Sequence, residues 1–116
     1  MRGTMVRYTV KPGRAAENQR LIERVMEALA TEAPAGLHYA AFRLEDGVSF
    51  VHVVSHESED VGDVLRELPA FREFRAGLDD RCEAKPVRTP MHQIGSYGLF
   101  GVERGANSKH VQKVGA

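Results

Sequence analysis

The sequence of 116 residues predicts an α+β domain whose elements follow the order β-α-β-β-α-β. Three observations carry this prediction: an amphipathic helical pattern over residues 14–32, an Asp46-Gly47 pair between two strand-like segments, and a second helical region interrupted by Pro69. With right-handed crossovers, this order gives the ferredoxin-like arrangement, in which an antiparallel four-stranded sheet carries both helices on one face.

The first two elements are a short strand and the longest helix. Apolar and polar residues alternate from Val6 to Val10, which is typical of a strand, and Lys11–Gly13 ends it. Between Arg14 and Glu32, apolar residues recur at helical spacing and form one wide stripe. The stripe consists of Leu21, Ile22, Val25, Met26, Leu29 and Ala30.

The two middle strands are predicted over 37–44 and 48–56, joined by Asp46-Gly47. Asp-Gly between alternating segments indicates a two-residue hairpin turn, because both turn positions need positive φ. This turn pairs Glu45 with Val48 and thereby fixes the register of the whole hairpin.

The register divides the hairpin into two faces, because cross-strand partners share a face. The more apolar face is predicted to pack against the helices, and it carries His38, Ala40, Phe42, Leu44, Val51, Val53 and Ser55. The other face mixes aromatic, apolar and charged side chains, so it is predicted to be the interface of a two-fold homodimer. That face carries Leu37, Tyr39, Ala41, Arg43, Phe50, His52, Val54 and His56.

The rest of the chain predicts a second helical region and a last strand. Apolar residues at helical spacing continue on both sides of Pro69, which splits this region into two helical pieces. The last strand is predicted over 87–97, as an edge or irregular strand because it contains Pro90. Residues 1–97 therefore form a single ferredoxin-like domain, and 98–116 form a flexible or partner-docking tail.

Charge and composition argue against several classes of protein. Sixteen basic residues balance sixteen acidic ones, which argues against a nucleic-acid or anionic-membrane partner. Cys82 is the single cysteine, so no internal disulfide forms. No apolar run approaches the roughly 20 residues of a membrane helix, and the N-terminus lacks the apolar region of a signal peptide, so we expect a cytoplasmic protein.

Two segments carry a resemblance to a known family. They are "VRYTVKPGRAAENQRLIERV" at 6–25 and "LRELPAFREFRAGL" at 65–78. Together with the element order, they resemble the antibiotic-biosynthesis-monooxygenase-like family of dimeric α/β barrels, over roughly residues 5–97. The resemblance implies a homodimer that pairs sheet against sheet. The superfamily includes cofactor-independent monooxygenases, heme-degrading enzymes and many small proteins of unassigned role.

The pattern of the heme-degrading branch is absent. Those enzymes use an Asn on the first strand, a Trp, and a His on the second helical region. This chain has no Trp, its asparagines are Asn18 and Asn107, and no His lies between Asp60 and Arg81. The quinone-forming monooxygenases of the superfamily also use Asn and Trp, so the resemblance implies the fold and the dimer. If the protein is catalytic, the expected activity is independent of a cofactor.

His52 is the one candidate for a catalytic residue. His52 and His56 share a face, but four residues along a strand separate them by about 13 Å, so they do not hold one metal ion, and no metal site is expected. His52 is interpreted either as a base poised near neutrality or as a histidine hydrogen-bonded across the dimer. In the second case, protonation of His52 and His56 near pH 5–6 would loosen the dimer.

The resemblance also implies a ligand site between the sheet and the helices. The candidate lining residues are Tyr8, His38, Phe42, Val51, Val53, Phe71 and Phe74. A mostly apolar site of this kind suits a small aromatic or lipid-like ligand. The sequence thus predicts a monooxygenase-like or small apolar-ligand-binding homodimer, and the alternative is a non-catalytic interaction module with a filled interior.

Overall fold

The computed structural model describes residues 2–98, which form a four-stranded antiparallel sheet of order β2-β3-β1-β4 with helices on one face. This confirms the predicted ferredoxin-like fold. The elements are β1 (Arg2–Thr9), α1 (Ala15–Glu32), β2 (Leu37–Arg43), β3 (Ser49–His56), α2 (Glu59–Glu67), α3 (Pro69–Ala76), α4 (Leu78–Arg81) and β4 (Val87–His92). Nearly all of the predicted tail, from residue 99 onward, lies outside the described residues.

The strands at the two ends of the domain differ from the predicted bounds. β1 begins at Arg2 rather than Val6, and β4 ends at His92 rather than at residue 97. The two bounds meet in one ladder, since Arg2 pairs with His92.

The predicted break in the second helical region is confirmed, and it falls at Leu68. Leu68 is extended, with φ −65° and ψ 124°, and Pro69 is the first residue of α3. A residue before proline is displaced from helical geometry, whereas proline itself fits the first helical turn. The short helix α4 was not predicted, because its sequence "LDDR" is too brief to show a period.

The register of the β2–β3 hairpin is confirmed, but its turn is not the predicted one. Ala41 pairs with His52 and Arg43 with Phe50. Within the turn only Gly47 has positive φ, at 81°, so the two-residue turn with two positive φ angles does not form. The Asp46 carboxylate instead accepts hydrogen bonds from the backbone N–H groups of Val48 and Ser49, at 3.0 and 2.8 Å.

The predicted assignment of the two sheet faces is wrong. Tyr39, Phe50 and His52, predicted for a dimer interface, face the helices, whereas Phe42 and Val53, predicted to contact the helices, lie on the opposite face. Alternation determines which residues share a face, but it does not determine which side the helices cover. Tyr39 and His52, two of the polar residues that suggested an interface, hydrogen-bond to each other inside the protomer.

We call the uncovered side the open face. By strand pairing it carries Met5, Ala40, Phe42, Val51, Val53, Val87 and Met91, together with His38, Ser55 and other polar residues. Phe42 is 43% exposed and Val87 is 63% exposed. The open face is thus the apolar surface that the helices leave uncovered.

Candidate functional site

Five polar side chains form a hydrogen-bonded row between the sheet and the helices, which we call the buried array. It runs Tyr39–His52–Tyr8–Asn18–Arg81, with one residue each from β2, β3, β1, α1 and α4. The contacts are 2.7 Å from Tyr39 Oη to His52 Nδ1, 2.7 Å from His52 Nε2 to Tyr8 Oη, 2.9 Å from Asn18 Nδ2 to Tyr8 Oη, and 2.9 Å from Arg81 Nε to Asn18 Oδ1. The array joins all layers of the domain.

Strand pairing and helix periodicity bring these residues together. Tyr8 pairs with Phe50 across β1 and β3, and His52 lies two residues further along β3, so Tyr8 and His52 share the helix-facing side. Asn18 lies on the buried stripe of α1 with Ile22, one turn away. Its exposed fraction is 0%, so its amide has to be satisfied within the protein.

The hydrogen-bonding capacity of each group fixes the direction of the array. Arg81 can only donate, so Asn18 Oδ1 accepts and Asn18 Nδ2 must donate to the Tyr8 oxygen. The Tyr8 hydroxyl hydrogen then points to its one remaining partner, His52 Nε2. Neutral His52 therefore carries its hydrogen on Nδ1 and donates it to the Tyr39 oxygen.

The direction of the array leaves one donor at its end. Because the Tyr39 oxygen accepts from His52, its own hydroxyl hydrogen points elsewhere, and among residues 2–98 no other side chain or carbonyl accepts it. In the opposite direction, His52 would carry its hydrogen on Nε2, and both His52 and Asn18 would donate to the Tyr8 oxygen. The hydroxyl hydrogen of Tyr8, a residue that is 4% exposed, would then have no acceptor. The first direction is therefore the satisfied one.

Burial controls the protonation of the array. Desolvation lowers the pKa of His52 from 6.5 to about 4, so the imidazole is neutral at physiological pH. Desolvation also raises the pKa values of Tyr8 and Tyr39 well above 10, so both phenols are protonated. A neutral imidazole between two neutral phenols matches the donor assignment derived above.

Arg81 places a positive charge at the inner end of the array. Its side chain is 2% exposed, and it donates to Asn18 Oδ1 and to the carbonyl oxygen of Phe74, the latter at 2.8 Å. The guanidinium also lies over the Phe74 ring, 5.3 Å from its centroid. Desolvation lowers the pKa of Arg81, but an arginine remains a cation, and no carboxylate among residues 2–98 forms an ion pair with it.

Aromatic rings fill the rest of this space. Tyr8 stacks on Phe50 with centroids 5.6 Å apart, and His52 stacks on Phe74 at 5.2 Å. Phe71 meets the Tyr39 ring edge-on at 6.3 Å. Three of the predicted pocket residues, Tyr8, Phe71 and Phe74, therefore do lie between sheet and helices, where they contribute to a packed cluster.

The other predicted pocket residues lie on the open face. There a groove of about 590 Å³ runs between the sheet and the segment that follows β4. Its lining residues are Gly3, Phe42, Val53, Ser55, Met91, His92, Gln93, Ile94, Gly95, Ser96 and Tyr97. The strand register also places His38 and Val51 on this face.

The predicted dimer-face residues have partners within the protomer. Tyr39, Phe50 and His52 belong to the core described above. Arg43 donates from Nε to the carbonyl of Gly47 at 2.9 Å, at the exposed rim of the sheet. His56 Nδ1 lies 2.9 Å from the carbonyl of Ser58, so His52 and His56 have separate environments. Among residues 2–98, no three potential metal-binding side chains cluster.

Sequence reasoning missed Asn18 and Arg81. Asn18 carried a usable signal, since a polar residue one turn before Ile22 on an apolar stripe requires a buried partner. Arg81 carried none, because it follows Asp79 and Asp80 in a charged segment that is typical of a solvated surface.

Comparison with known proteins identifies the family. A family model described as antibiotic biosynthesis monooxygenase matches residues 1–77, and the chain belongs to that family. No curated protein matches the sequence significantly. No helix within residues 2–98 is long and apolar enough to cross a membrane.

Solved structures share the fold at low sequence identity. Rv0793 from Mycobacterium tuberculosis superimposes with a TM-score of 0.68 at 17% identity, covering 84% of this chain and 98% of its own. A putative antibiotic biosynthesis monooxygenase from Nitrosomonas europaea has a TM-score of 0.70 at 12% identity, covering 82% and 100%. A variant of SnoaB, a cofactor-independent oxygenase from Streptomyces nogalater, has a TM-score of 0.62 at 17% identity, covering 84% and 96%. At these identities the likeness establishes the fold.

Proposed function

We propose that the protein is a homodimer that binds a small, mostly apolar ring-containing ligand and acts as a monooxygenase-like enzyme without a cofactor. The observation that carries the proposal is the buried array, a directed row of hydrogen bonds that ends at the Tyr39 hydroxyl next to the Phe71 ring. Family membership and the likeness to a cofactor-independent oxygenase support the same class of chemistry.

The array suits stabilisation of negative charge better than proton abstraction. A base must hold an available lone pair, but both ring nitrogens of His52 are already engaged, and its pKa of about 4 makes it a weak base. A donor at the end of the array can instead stabilise an oxyanion that develops when a ring substrate reacts with O₂. His52 then acts as a positioning residue rather than as the catalytic base considered from sequence.

The open face supports the homodimer. Phe42 and Val87 are large apolar side chains that the helices leave in solvent, and the groove beside Met91 extends this surface. A second copy placed about a two-fold axis would cover the same patch on both protomers. The dimer of this proposal therefore uses the face opposite to the one predicted from sequence.

The alternative function is a non-catalytic interaction module with a filled interior. It is favoured by the close packing of the array, since Asn18 is 0% exposed and Tyr8, His52 and Phe74 are in ring contact. The same open face would then be the functional surface.

Native mass spectrometry of the purified protein tests the proposal and separates the two functions. The proposal predicts a mass of twice the 12.8 kDa chain at micromolar concentration, with added mass when a polycyclic phenol is supplied. Oxygen uptake in a metal-free buffer with that phenol then measures activity. A dimer that takes up no ring compound and no O₂ would support the interaction module, and a monomer would contradict the proposed assembly.

A further inference from the structure

The groove on the open face is lined on one side by the last residues that the structure describes. Residues 93–97 line it beside the sheet, and residues 99–116 follow directly in the sequence. We infer that the segment 99–102 docks in this groove of its own protomer and there competes with a second copy for the open face. The inference goes beyond the proposed function: the docking stands without the proposed dimer, and the competition rests on that dimer.

The segment 99–102 has the same apolar chemistry as the groove. Phe42, Val53 and Met91 present apolar side chains from the sheet to the groove. The segment reads "LFGV", whereas 103–116 consists mostly of polar and small residues. The apolar part of the chain that follows the domain is therefore the part that begins next to the groove, and burying it there removes apolar surface from water on both sides.

The chain that leads to this segment is exposed and bent. Ile94 is 101% exposed and Tyr97 is 96% exposed, so nothing within residues 2–98 covers these two groove-lining side chains. The chain bends at Tyr97 and Gly98, and Gly98 has a φ of 72°, which glycine adopts readily. The four residues of the segment 99–102 span about 13 Å when extended, so they can reach along the groove from this bend.

Residues 99–116 are an addition to the fold shared with solved structures. The proteins from M. tuberculosis and N. europaea are covered over 98% and 100% of their own length, but over 84% and 82% of this chain. Of 116 residues, 82–84% is about 95–97 residues, which is close to the length of 2–98. A role for the segment beyond Gly98 is therefore particular to this chain.

The groove and the proposed dimer surface share residues. Phe42 and Val53 line the groove and lie on the open face, so one copy of each cannot be covered by the segment and by a second protomer together. The segment is joined to the groove, which gives it a roughly millimolar effective concentration. Since both protomers of a dimer need an empty groove, a segment that occupies about 70% of the grooves weakens the dimer about 10-fold.

A single tryptophan tests the docking, because the chain has none of its own. Phe100→Trp places the probe in the segment, and Val111→Trp places a matched control further along the chain. In protein too dilute to dimerise, as judged by sedimentation, we expect Phe100→Trp to emit at shorter wavelength than Val111→Trp. Adding Phe42→Asp to Phe100→Trp should abolish this difference, whereas adding Val64→Asp, at an equally exposed residue on α2, should preserve it.

Sedimentation of Phe100→Ser and Val111→Ser tests the competition. Phe100→Ser should dimerise about 10-fold more tightly than wild type, and Val111→Ser should match wild type. Equal emission from the two tryptophan variants in dilute protein would overturn the docking. A shift to shorter wavelength only as the dimer forms would also overturn it, because the segment would then occupy the groove of the partner. An unchanged or weaker dimer in Phe100→Ser would overturn the competition. If wild type stays monomeric, the proposed assembly and the competition fail, while the tryptophan emission still decides the docking.

Discussion

Acidification from pH 7 to pH 5 is expected to destabilise the protomer through protonation of His52. Burial holds the pKa of His52 at about 4 in the folded chain, against 6.5 for an ordinary histidine. The unfolded chain therefore binds a proton first as the pH falls, so unfolding becomes easier. The stabilising contribution is complete above pH 6.5 and is lost as the pH falls toward 4.

The pKa difference gives the size of the effect. A gap of about 2.5 units between 6.5 and about 4 corresponds to about 3 kcal/mol in total, at about 1.4 kcal/mol per unit. For two-state unfolding, about 2 kcal/mol of this stabilisation is lost between pH 7 and pH 5. Hydrogen bonding lowers the pKa values of Glu17 and Asp46, whose contributions are lost only at lower pH, so this window separates the effect of His52 from those two carboxylates.

Urea unfolding at pH 7, 6 and 5 measures this loss at one fixed protein concentration. The matched control is His38→Gln, which removes a histidine from the open face and leaves His52 and its partners in place, so it should retain the pH dependence that His52 causes. His52→Gln should be less stable at pH 7 and lose most of the dependence. A wild-type free energy of unfolding that stays constant between pH 7 and 5, or an equal slope in His52→Gln, would refute the reasoning. The sequence suggested that protonation of His52 acts on a dimer interface. Because His52 is buried inside the protomer, its protonation should destabilise the protomer instead.

Three further predictions concern the stability of the protomer and are checked by urea denaturation. Phe50→Ala empties a ring site in the core and should cost about 3–5 kcal/mol; a loss below about 1 kcal/mol would show that the site is not packed. Arg81→Met leaves the Asn18 amide oxygen without its donor and should cost about 2–4 kcal/mol, and a neutral effect would contradict the role of the buried guanidinium. Ala33, at the C-terminal end of α1, has a positive φ of 46°, which glycine adopts more easily than alanine, so Ala33→Gly should stabilise the protomer by about 0.5 kcal/mol. Gly47 has φ 81°, so Gly47→Ala should destabilise the protomer by about 1 kcal/mol. Changes of the same sign in the two variants would refute the backbone argument.

The fold and the hairpin register were predictable because local signals determine them. Helical spacing located α1, the Leu68–Pro69 step located the break between α2 and α3, and the Asp46-Gly47 pair aligned β2 with β3. The predicted register is correct although the turn has a different geometry from the predicted one, because both turns place the same number of residues between the two strands. Local patterns of this kind depend on few residues.

The side of the sheet on which the helices lie was not predictable from the hairpin. Both faces of β2 and β3 are largely apolar, and the decisive hydrogen bond to His52 comes from Tyr8, which is 44 residues away in the sequence. A His52 whose two ring nitrogens are satisfied by Tyr8 and Tyr39 can be as buried as a phenylalanine. The polar side chains of the hairpin therefore suggested a dimer interface where the protein has a core. Several of the predicted site residues were assigned to the wrong face of the sheet for the same reason.

Sedimentation velocity of Phe42→Asp and Val64→Asp most directly tests the central claim, that the array side is the interior of the protomer and the open face is the dimer surface. Both side chains are 43% exposed, but Phe42 lies on the open face and Val64 on α2. Covering about 90 Å² of Phe42 contributes about 2 kcal/mol per protomer, or about 4 kcal/mol across a two-fold interface. The account predicts that Phe42→Asp weakens the dimer about 1,000-fold and yields monomer at micromolar concentration, whereas Val64→Asp remains dimeric. A dimer that persists in Phe42→Asp and dissociates in Val64→Asp would contradict it.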